Sequence, residues 1–112
     1  MPRNMSFAMT TPQFKAGTKT VTRRFGWWFL KPGDVLWGVV KAMGLKKGES
    51  IVRLSLIKIV STRPEPLHAI TRSECVLEGF PDMHPPDFVE MLCRHYNCQP
   101  EKVVNRIEFC YL

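Results

Sequence analysis

The segment that decides the fold is Ile51-Val-Arg-Leu-Ser-Leu-Ile-Lys-Ile-Val-Ser61, the clearest strand in the chain. The apolar residues at positions 52, 54 and 56 share one parity, whereas Ile57 and Ile59 share the other. Because side chains of a strand alternate between two faces, this switch predicts a β-bulge or a strong bend near Leu56. Bent strands close small barrels, so the segment favours a curved sheet.

Further short strands are predicted on both sides of this segment. Lys31-Pro-Gly-Asp34 predicts a turn into one of them, and the lysine-rich stretch Gly44-Leu-Lys-Lys-Gly48 predicts a loop after it. Alternating or Thr- and Val-rich patterns predict the strands themselves over residues 5–9, 18–25, 35–40 and 103–111.

Capping signals predict two short helices among these strands. Thr11-Pro12 starts the first helix, and Gly17 supplies its C-cap. The capping box Thr71-Arg-Ser-Glu74 opens the second, a two-turn helix from Arg72 to Glu78.

A longer third helix is predicted to open at His84-Pro-Pro. Its apolar residues recur at helical spacing, which predicts one buried face formed by Phe88, Met91, Leu92 and Tyr96. The resulting order of elements predicts an α+β fold, built on a small curved or closed antiparallel β-barrel with two or three short helices.

Length and composition limit what the chain can do. Its 112 residues, 45% apolar and 23% charged, suit a single domain over residues 1–112. A domain of this size encloses no large cofactor, and no Gly-rich phosphate motif joins a strand to a long helix, so no cofactor is expected. No stretch reaches the roughly 20 apolar residues of a membrane span, and the start Met-Pro-Arg-Asn leads into no apolar signal core. We therefore expect a cytoplasmic protein, monomeric or a weak homodimer, with no membrane contact.

Charge is distributed unevenly along the chain. Residues 1–63 hold twelve Lys or Arg against two acids, a net charge of +10, whereas residues 64–112 hold four against eight, a net charge of −4. Such an asymmetric field steers anionic ligands to one side of a protein, and nucleic acid is the commonest such ligand. The alternative is that these charges only solvate the surface.

Four cysteines raise the question of a metal or a disulfide. Cys93, His95 and Cys98 form C-x-H-x-x-C, which lacks the paired C-x-x-C elements of structural zinc sites, so we expect no metal site. Cys75 and Cys110 are predicted to lie in apolar surroundings as small hydrophobic residues.

Side chains that could bind a ligand are most concentrated in Gly17-Thr-Lys-Thr-Val-Thr-Arg-Arg24 and in the aromatic tract that follows it, residues 25–29. Hydroxyls and cations that can bind phosphate stand beside rings on which bases can stack. The predicted nucleic-acid contacts are Thr20, Arg23, Arg24 and Trp28. The alternative makes the threonines ordinary strand residues, the bases solvated and the tryptophans core; for Trp27 and Trp28 both interpretations stay open.

Glu78 is the second notable residue. In the last turn of a helix its carboxylate meets the negative end of the helix dipole, which is unfavourable by about 0.3 to 1 kcal/mol. Full exposure would make it an ordinary surface acid, whereas partial burial would raise its pKa and suit it to proton transfer.

The chain resembles the ASCH domains, small β-barrel modules related to the PUA fold. Gly17, Lys19, Thr22 and Arg24 fit the family signature G-x-K-x-x-T-x-R. Elements further along the chain resemble the family's turn, helix end and closing strand, namely Lys31-Pro-Gly-Asp34, Glu78-Gly-Phe80 and Arg106-Ile-Glu-Phe109. The match extends from Met5 to Leu112, and the tract around Trp27, Trp28 and residues 44–48 looks like short ASCH proteins of bacteriophages and prophages.

The resemblance implies a pocket formed across a barrel cleft that binds RNA or a modified nucleoside. One branch of the family hydrolyses the amide of acetylcytidine with a lysine, a threonine and a glutamate, and Lys19, Thr22 and Glu78 match those catalytic positions. Another branch is described as cleaving RNA. The aromatic tract between Arg24 and Lys31 replaces a polar stretch of the first branch.

The implied amide hydrolysis sets a geometric condition. Thr22 would attack the acyl carbon, Lys19 would act as its base if burial and neighbouring Arg24 lowered its pKa, and Glu78 would pass the proton to the leaving amine. In a regular strand Lys19 and Thr22 face opposite sides, so the mechanism requires a turn or bulge around residues 20–21. Otherwise Lys19 is a phosphate contact. A further alternative is a phage-derived protein-binding module that docks through its acidic second half.

Overall fold

A computed structural model describes residues 2–42 and 45–112 of the protein. Its strands are β1 (Arg3–Ser6), β2 (Val21–Arg24), β3 (Val35–Val39), β4 (Arg53–Pro66) and β5 (Val103–Tyr111). Its helices are α1 (Thr11–Ala16), α2 (Arg72–Leu77) and α3 (Pro85–Tyr96), with short 3₁₀ turns at Ala8–Thr10 and Leu67–Ala69. Among the described residues, no helix is long and apolar enough to cross a membrane.

The five strands form one curled sheet in the order β1-β3-β4-β5-β2. The three pairings β3–β4, β4–β5 and β5–β2 are antiparallel, as predicted, but β1 runs parallel to β3. The α+β class and the curved sheet are therefore confirmed. Strand β4 is central, and β2 lies at one edge beside β5, where its side chains can reach α2 and α3.

Strand β4 carries two irregularities rather than the one predicted near Leu56. Against β3 the register shifts so that Leu54 has no partner, and against β5 it shifts so that Val60 has none. Leu56 itself pairs regularly with Trp37. The parity switch in the sequence is real, but the extra residues sit on either side of it, where each bulge faces a different neighbouring strand.

Capping chemistry sets the helix bounds close to the predicted ones. Gly17 ends α1 in the left-handed conformation, with φ of 75°, and the Thr71 hydroxyl accepts a hydrogen bond from the backbone N–H of Glu74 at 3.4 Å. The predicted strand over residues 5–9 begins earlier and ends at Ser6, because the chain turns into the 3₁₀ turn that leads to α1. Of the predicted loop 44–48, Gly44 lies outside the described residues, and Lys46 and Glu49 close a turn.

Two hydrophobic cores hold the domain together. The first fills the curled sheet and takes in α1; its buried members are Met5, Phe7, Phe14, Leu30, Leu36, Ile57, Ile59, Ile107 and Phe109. The second lies between α2, α3 and the turn after β4, with Leu67, Ile70, Cys75, Phe88, Val89 and Leu92. The candidate site lies between α3 and the β2 edge of the sheet.

Two predictions of burial are wrong. Tyr96, placed in the core stripe of α3, is 40% exposed, because the last turn of the helix projects beyond the second core. Cys110 is exposed on β5, where alternation turns its side chain away from the first core; Cys75 is buried as predicted.

Candidate functional site

A pocket of about 210 Å³ opens where β2 faces α3. Its walls come from the segment between β1 and α1, the residues around β2, the end of α2 and the inner face of α3. Five sequence-predicted site residues line it: Lys19, Thr22, Arg23, Arg24 and Glu78. The structure therefore brings residues from four segments of the chain to one place.

Lys19 and Thr22 line the same pocket because Lys19 lies outside the regular strand. Strand β2 begins only at Val21, after α1 has ended at the left-handed Gly17. The Lys19 backbone is held by its N–H to the Gln13 carbonyl and by the Tyr111 hydroxyl, which donates to the Lys19 carbonyl. The strict alternation of a strand thus does not apply across this junction, so both side chains can line one pocket.

The Lys19 side chain is buried against Glu78. Its Nζ donates to the Glu78 carboxylate at 2.7 Å and to the Glu78 backbone carbonyl at 2.9 Å, and each residue is only 3% exposed. Glu78 occupies the C-cap of α2, so the helix end presents both its carbonyl and its carboxylate to the same ammonium. The ammonium compensates for the unfavourable position of this acid at the negative end of a helix.

A second cation shares the Glu78 carboxylate. The Arg23 guanidinium donates to its other oxygen at 2.8 Å and also contacts Glu65 and Glu74, at 2.7 and 2.9 Å. Arg106 extends the network through a bidentate contact with Glu74, in which its Nε and Nη2 donate to the two carboxylate oxygens at 2.8 and 2.9 Å. The Arg23 side chain has no exposed surface, so a direct contact with nucleic acid would require breaking these ion pairs.

Burial and charge shift the titration of this cluster. Burial lowers the pKa of Lys19 below its usual 10.5, with further lowering by Arg24 and Arg23, while Glu78 opposes the shift. The hydrogen bond from Arg106, together with Arg23, lowers the pKa of Glu74 to about 2. A lysine whose pKa is lowered in a pocket is suited to accept a proton.

Arg24 and Thr22 form the polar wall beside this pair. The Arg24 Nε donates to the Thr22 hydroxyl oxygen at 3.0 Å, and the guanidinium stacks over the Phe7 ring at 4.8 Å from its centre. Among the described residues Arg24 makes no salt bridge, so its cation faces the pocket without a carboxylate partner. Because its oxygen accepts from Arg24, Thr22 keeps its own hydrogen for another acceptor.

Aromatic side chains form the rim of the pocket. His95 and Tyr96, on the last turn of α3, line it, and the Tyr96 ring packs against Phe25 with ring centres 4.9 Å apart. The Lys102 ammonium lies 5.5 Å from the centre of the Phe25 ring. This rim, formed by Phe25, His95, Tyr96 and Lys102, is exposed to solvent.

Two predicted nucleic-acid contacts lie away from the pocket. Thr20 is half-buried and is not part of the pocket wall; its backbone joins α2 and β5 through hydrogen bonds to Leu77 and Phe109. Trp28 is 56% exposed and also lies outside the wall. Trp27, in contrast, packs against the first core and is held by the Asn105 amide, which donates to its carbonyl at 3.0 Å.

Several residues of the site carry no clear signal in the sequence. The sequence pattern of Phe7 is that of a core residue, and the pattern of Tyr96 is that of the buried face of a helix. Glu65 and Glu74 look like surface or capping acids in the sequence. Arg23 and Arg106 are charged residues in strand-forming segments, but the sequence does not show whether each faces solvent or a buried carboxylate. No cluster of three or more metal-ligating side chains occurs in the part of the chain that the structure describes.

Comparison with known proteins supports the fold. No protein-family model matches the sequence, and no curated protein matches it. A protein from Enterococcus faecalis V583, described as a DUF984 family member, superposes with a TM-score of 0.71 at 14% identity, over 100% of this chain and 80% of its own. An ASCH domain from Lactobacillus crispatus JV V101 superposes with a TM-score of 0.62 at 13% identity, over 97% and 78%.

These likenesses define the chain first as a small α+β domain with a curled, PUA-like sheet. More narrowly, the chain has the fold of an ASCH domain, which confirms the resemblance seen in its motifs. The likeness to phage proteins stays a prediction.

Proposed function

We propose that the pocket binds a single modified nucleoside and hydrolyses an acyl amide on its base, as in acetylcytidine. The observation that carries this proposal is the convergence of Lys19, Thr22 and Glu78 on one pocket. These are the three positions that resemble the acetylcytidine-hydrolysing branch of the ASCH domains.

The size of the pocket favours a single nucleoside over a polymer inside it. Its volume of about 210 Å³ lies below the roughly 300–1,000 Å³ of sites for drug-sized ligands. Apolar and aromatic side chains, among them Phe7, Phe80 and Leu92, alternate with the charged groups around it. Such walls suit a flat base that carries a few polar atoms.

The hydrolysis can be written with the residues in place. The neutral Lys19 amine takes the proton of the Thr22 hydroxyl, and the Thr22 oxygen forms a bond to the acyl carbon. The oxygen of the former carbonyl takes the electron pair beside the Arg24 guanidinium. The carbon–nitrogen bond then breaks, and the proton held by Lys19 and Glu78 passes to the leaving amine. Water finally hydrolyses the acyl-threonine ester, releasing a carboxylic acid and restoring the hydroxyl.

Glu78 and Arg23 prepare Lys19 for this step. The Glu78 backbone carbonyl and carboxylate both accept hydrogen bonds from the Lys19 Nζ, and Arg23 donates to the other oxygen of the same carboxylate. Because one negative charge is shared between two cations, Lys19 loses its proton more readily than in a simple ion pair. Arg23 is thus a positioning residue in this proposal, rather than a contact for nucleic acid.

The test is release of cytidine from acetylcytidine by the purified protein. We expect Thr22→Ala and Lys19→Ala to lower kcat/KM by at least about 100-fold, the usual contribution of a nucleophile or general base. Thr18→Ala is the matched control, because Thr18 is exposed, lies outside the pocket wall and donates its hydroxyl to the Gln13 carbonyl of α1, so this variant should retain activity. Absence of turnover over a panel of acylated nucleosides would refute the hydrolysis. Binding of acetylcytidine by calorimetry would then show whether recognition survives without it.

The exposed rim favours a second candidate function, binding of single-stranded RNA. Phe25 and Tyr96 offer stacking surfaces next to the pocket, with Lys102 beside them for a phosphate. This candidate predicts an affinity that falls with added salt. It also predicts weaker binding in Phe25→Ala and Arg24→Ala, and Trp28→Ala measures whether the exposed loop contributes. An affinity for oligonucleotides that is absent or independent of salt would contradict it.

A further inference from the structure

Two cysteines of the C-x-H-x-x-C motif meet at the end of α3. The helix ends at Tyr96, and Asn97 follows in the left-handed conformation with φ of 52° and ψ of 56°. The Cys98 N–H then donates back to the Cys93 carbonyl at 3.1 Å. In a helix end of this kind the side chains at these two positions turn towards each other.

The backbone geometry places the two side chains within reach of a covalent bond. With standard bond lengths and the 3.1 Å hydrogen bond, the two α-carbons are at most about 7 Å apart, near the range of roughly 4.4–6.8 Å found in disulfides. Both cysteines are half-buried and pack against the second core. Burial and the neighbouring Cys98 thiol both raise the pKa of the Cys93 thiol.

The pair is open to a small reagent. Cys93 lines a groove of about 480 Å³ together with Val89, Pro85 and Pro100. The other two cysteines offer no competing partner at this place, because Cys75 is fully buried in the second core and Cys110 is exposed on β5.

We propose that Cys93 and Cys98 are a thiol-oxidation site that forms a reversible intramolecular disulfide. The oxidant is a low-molecular-weight disulfide. The thiolate of one cysteine attacks it, forming a mixed disulfide and releasing one thiol. The second cysteine then attacks the protein sulfur of the mixed disulfide and releases the second thiol. Two protein thiols are thereby oxidised to one disulfide while the reagent is reduced to two thiols, and a reducing dithiol reverses the reaction.

The bond would close a six-residue loop that contains His95 and Tyr96, the two rim residues carried by α3. Oxidation would therefore fix one wall of the pocket. The inference itself rests only on the geometry of the helix end and stands whether or not the proposed hydrolysis is correct.

The experiment uses the full chain with Cys110→Ser, which removes the exposed thiol and leaves three. The protein is incubated with oxidised glutathione, denatured and alkylated, and its free thiols are counted by mass. We expect the count to fall from three to one. Trypsin cuts after Arg94, so the two cysteines fall on separate peptides that stay joined only through the disulfide.

Two further variants make the result decisive. In the same background, Cys93→Ser and Cys98→Ser each leave one member of the pair without its partner, and we expect each to accumulate a stable glutathione adduct that the parent lacks. Far-ultraviolet circular dichroism confirms that each variant is folded. Three alkylated thiols in the treated parent, or glutathione adducts as abundant in the parent as in the single variants, would overturn the proposal.

Discussion

The buried contact between Lys19 and Glu78 can be tested by the substitution Glu78→Gln. The glutamine keeps the shape of the side chain but removes the one negative charge that faces both Lys19 and Arg23. Each of these three side chains is at most 4% exposed, so water cannot replace the lost carboxylate. Removing one partner of a buried ion pair costs about 3–5 kcal/mol, because the other charge stays buried without compensation.

The expected loss lies near the lower end of that range and depends on pH. Arg23 keeps Glu65 and Glu74, so the penalty falls mainly on Lys19. Loss of Glu78 also removes the group that opposes the lowering of the Lys19 pKa, so this pKa falls further below 10.5. Between that lowered pKa and 10.5 the unfolded state binds more protons than the folded state, so the free energy of unfolding rises with pH. Because the Lys19 pKa of the wild type is itself lowered, the deficit of the variant is largest at low pH, shrinks between the Lys19 pKa values of the variant and the wild type, and stays constant above both.

Urea denaturation between pH 6 and 10 measures this deficit. We expect Glu78→Gln to be about 3 kcal/mol less stable than wild type at pH 6. Glu90→Gln is the matched control, because Glu90 is exposed and contacts only Arg94, and it should change stability by at most about 0.5 kcal/mol. Adding Lys19→Met should restore much of the loss, since the uncompensated charge is then gone. A deficit equal to that of the control, or one that grows with pH, would refute the burial of this pair.

Three further predictions follow from the packing and the charges. Gly38→Ala would place a methyl group 2.1 Å from the Phe14 ring, so we expect a loss of about 1–3 kcal/mol in urea denaturation, and an unchanged midpoint would contradict the close approach. Glu74 has a pKa of about 2 because it binds Arg106, so its stabilisation is complete above its ordinary value of 4.5 and is lost towards pH 2. The deficit of Glu74→Gln should accordingly shrink over that interval, and a constant deficit would argue against the shift. Trp28→Ala should change stability by at most about 0.5 kcal/mol, because this ring is largely exposed, and a larger loss would place it in the core.

Much of the fold follows from local signals in the sequence. Strand β5 occupies the predicted residues 103–111, and α2 and α3 begin next to the predicted caps at Thr71 and His84. These elements are bounded by turn and cap residues whose preferences act within a few positions. The bulges of β4 were harder to place, because their positions depend on which neighbouring strand each half of β4 pairs with.

The site was predicted less completely, since it depends on contacts between distant segments. The motif around Lys19 and Thr22 is local, and so is the odd position of Glu78 at a helix end. The burial of Arg23 is not local: it depends on Glu65 and Glu74, which lie 42 and 51 residues further along the chain. A basic residue in an edge strand looks the same in the sequence whether it faces solvent or a carboxylate from another element, which is why Arg23 was predicted as a nucleic-acid contact.

The network around Arg23 explains why Lys19 is the residue that can give up a proton. Glu78 offers one negative charge to two cations, and a third cation, Arg24, lowers the Lys19 pKa from the pocket side. Of these three cations only a lysine can become neutral in a protein, because arginine keeps its proton. Arg23 is in addition held by two further carboxylates, whereas among the residues that the structure describes Lys19 pairs with Glu78 alone. The cation of the site best able to lose its proton is therefore Lys19, which lines the same pocket as Thr22, and the proposed hydrolysis requires a neutral amine there.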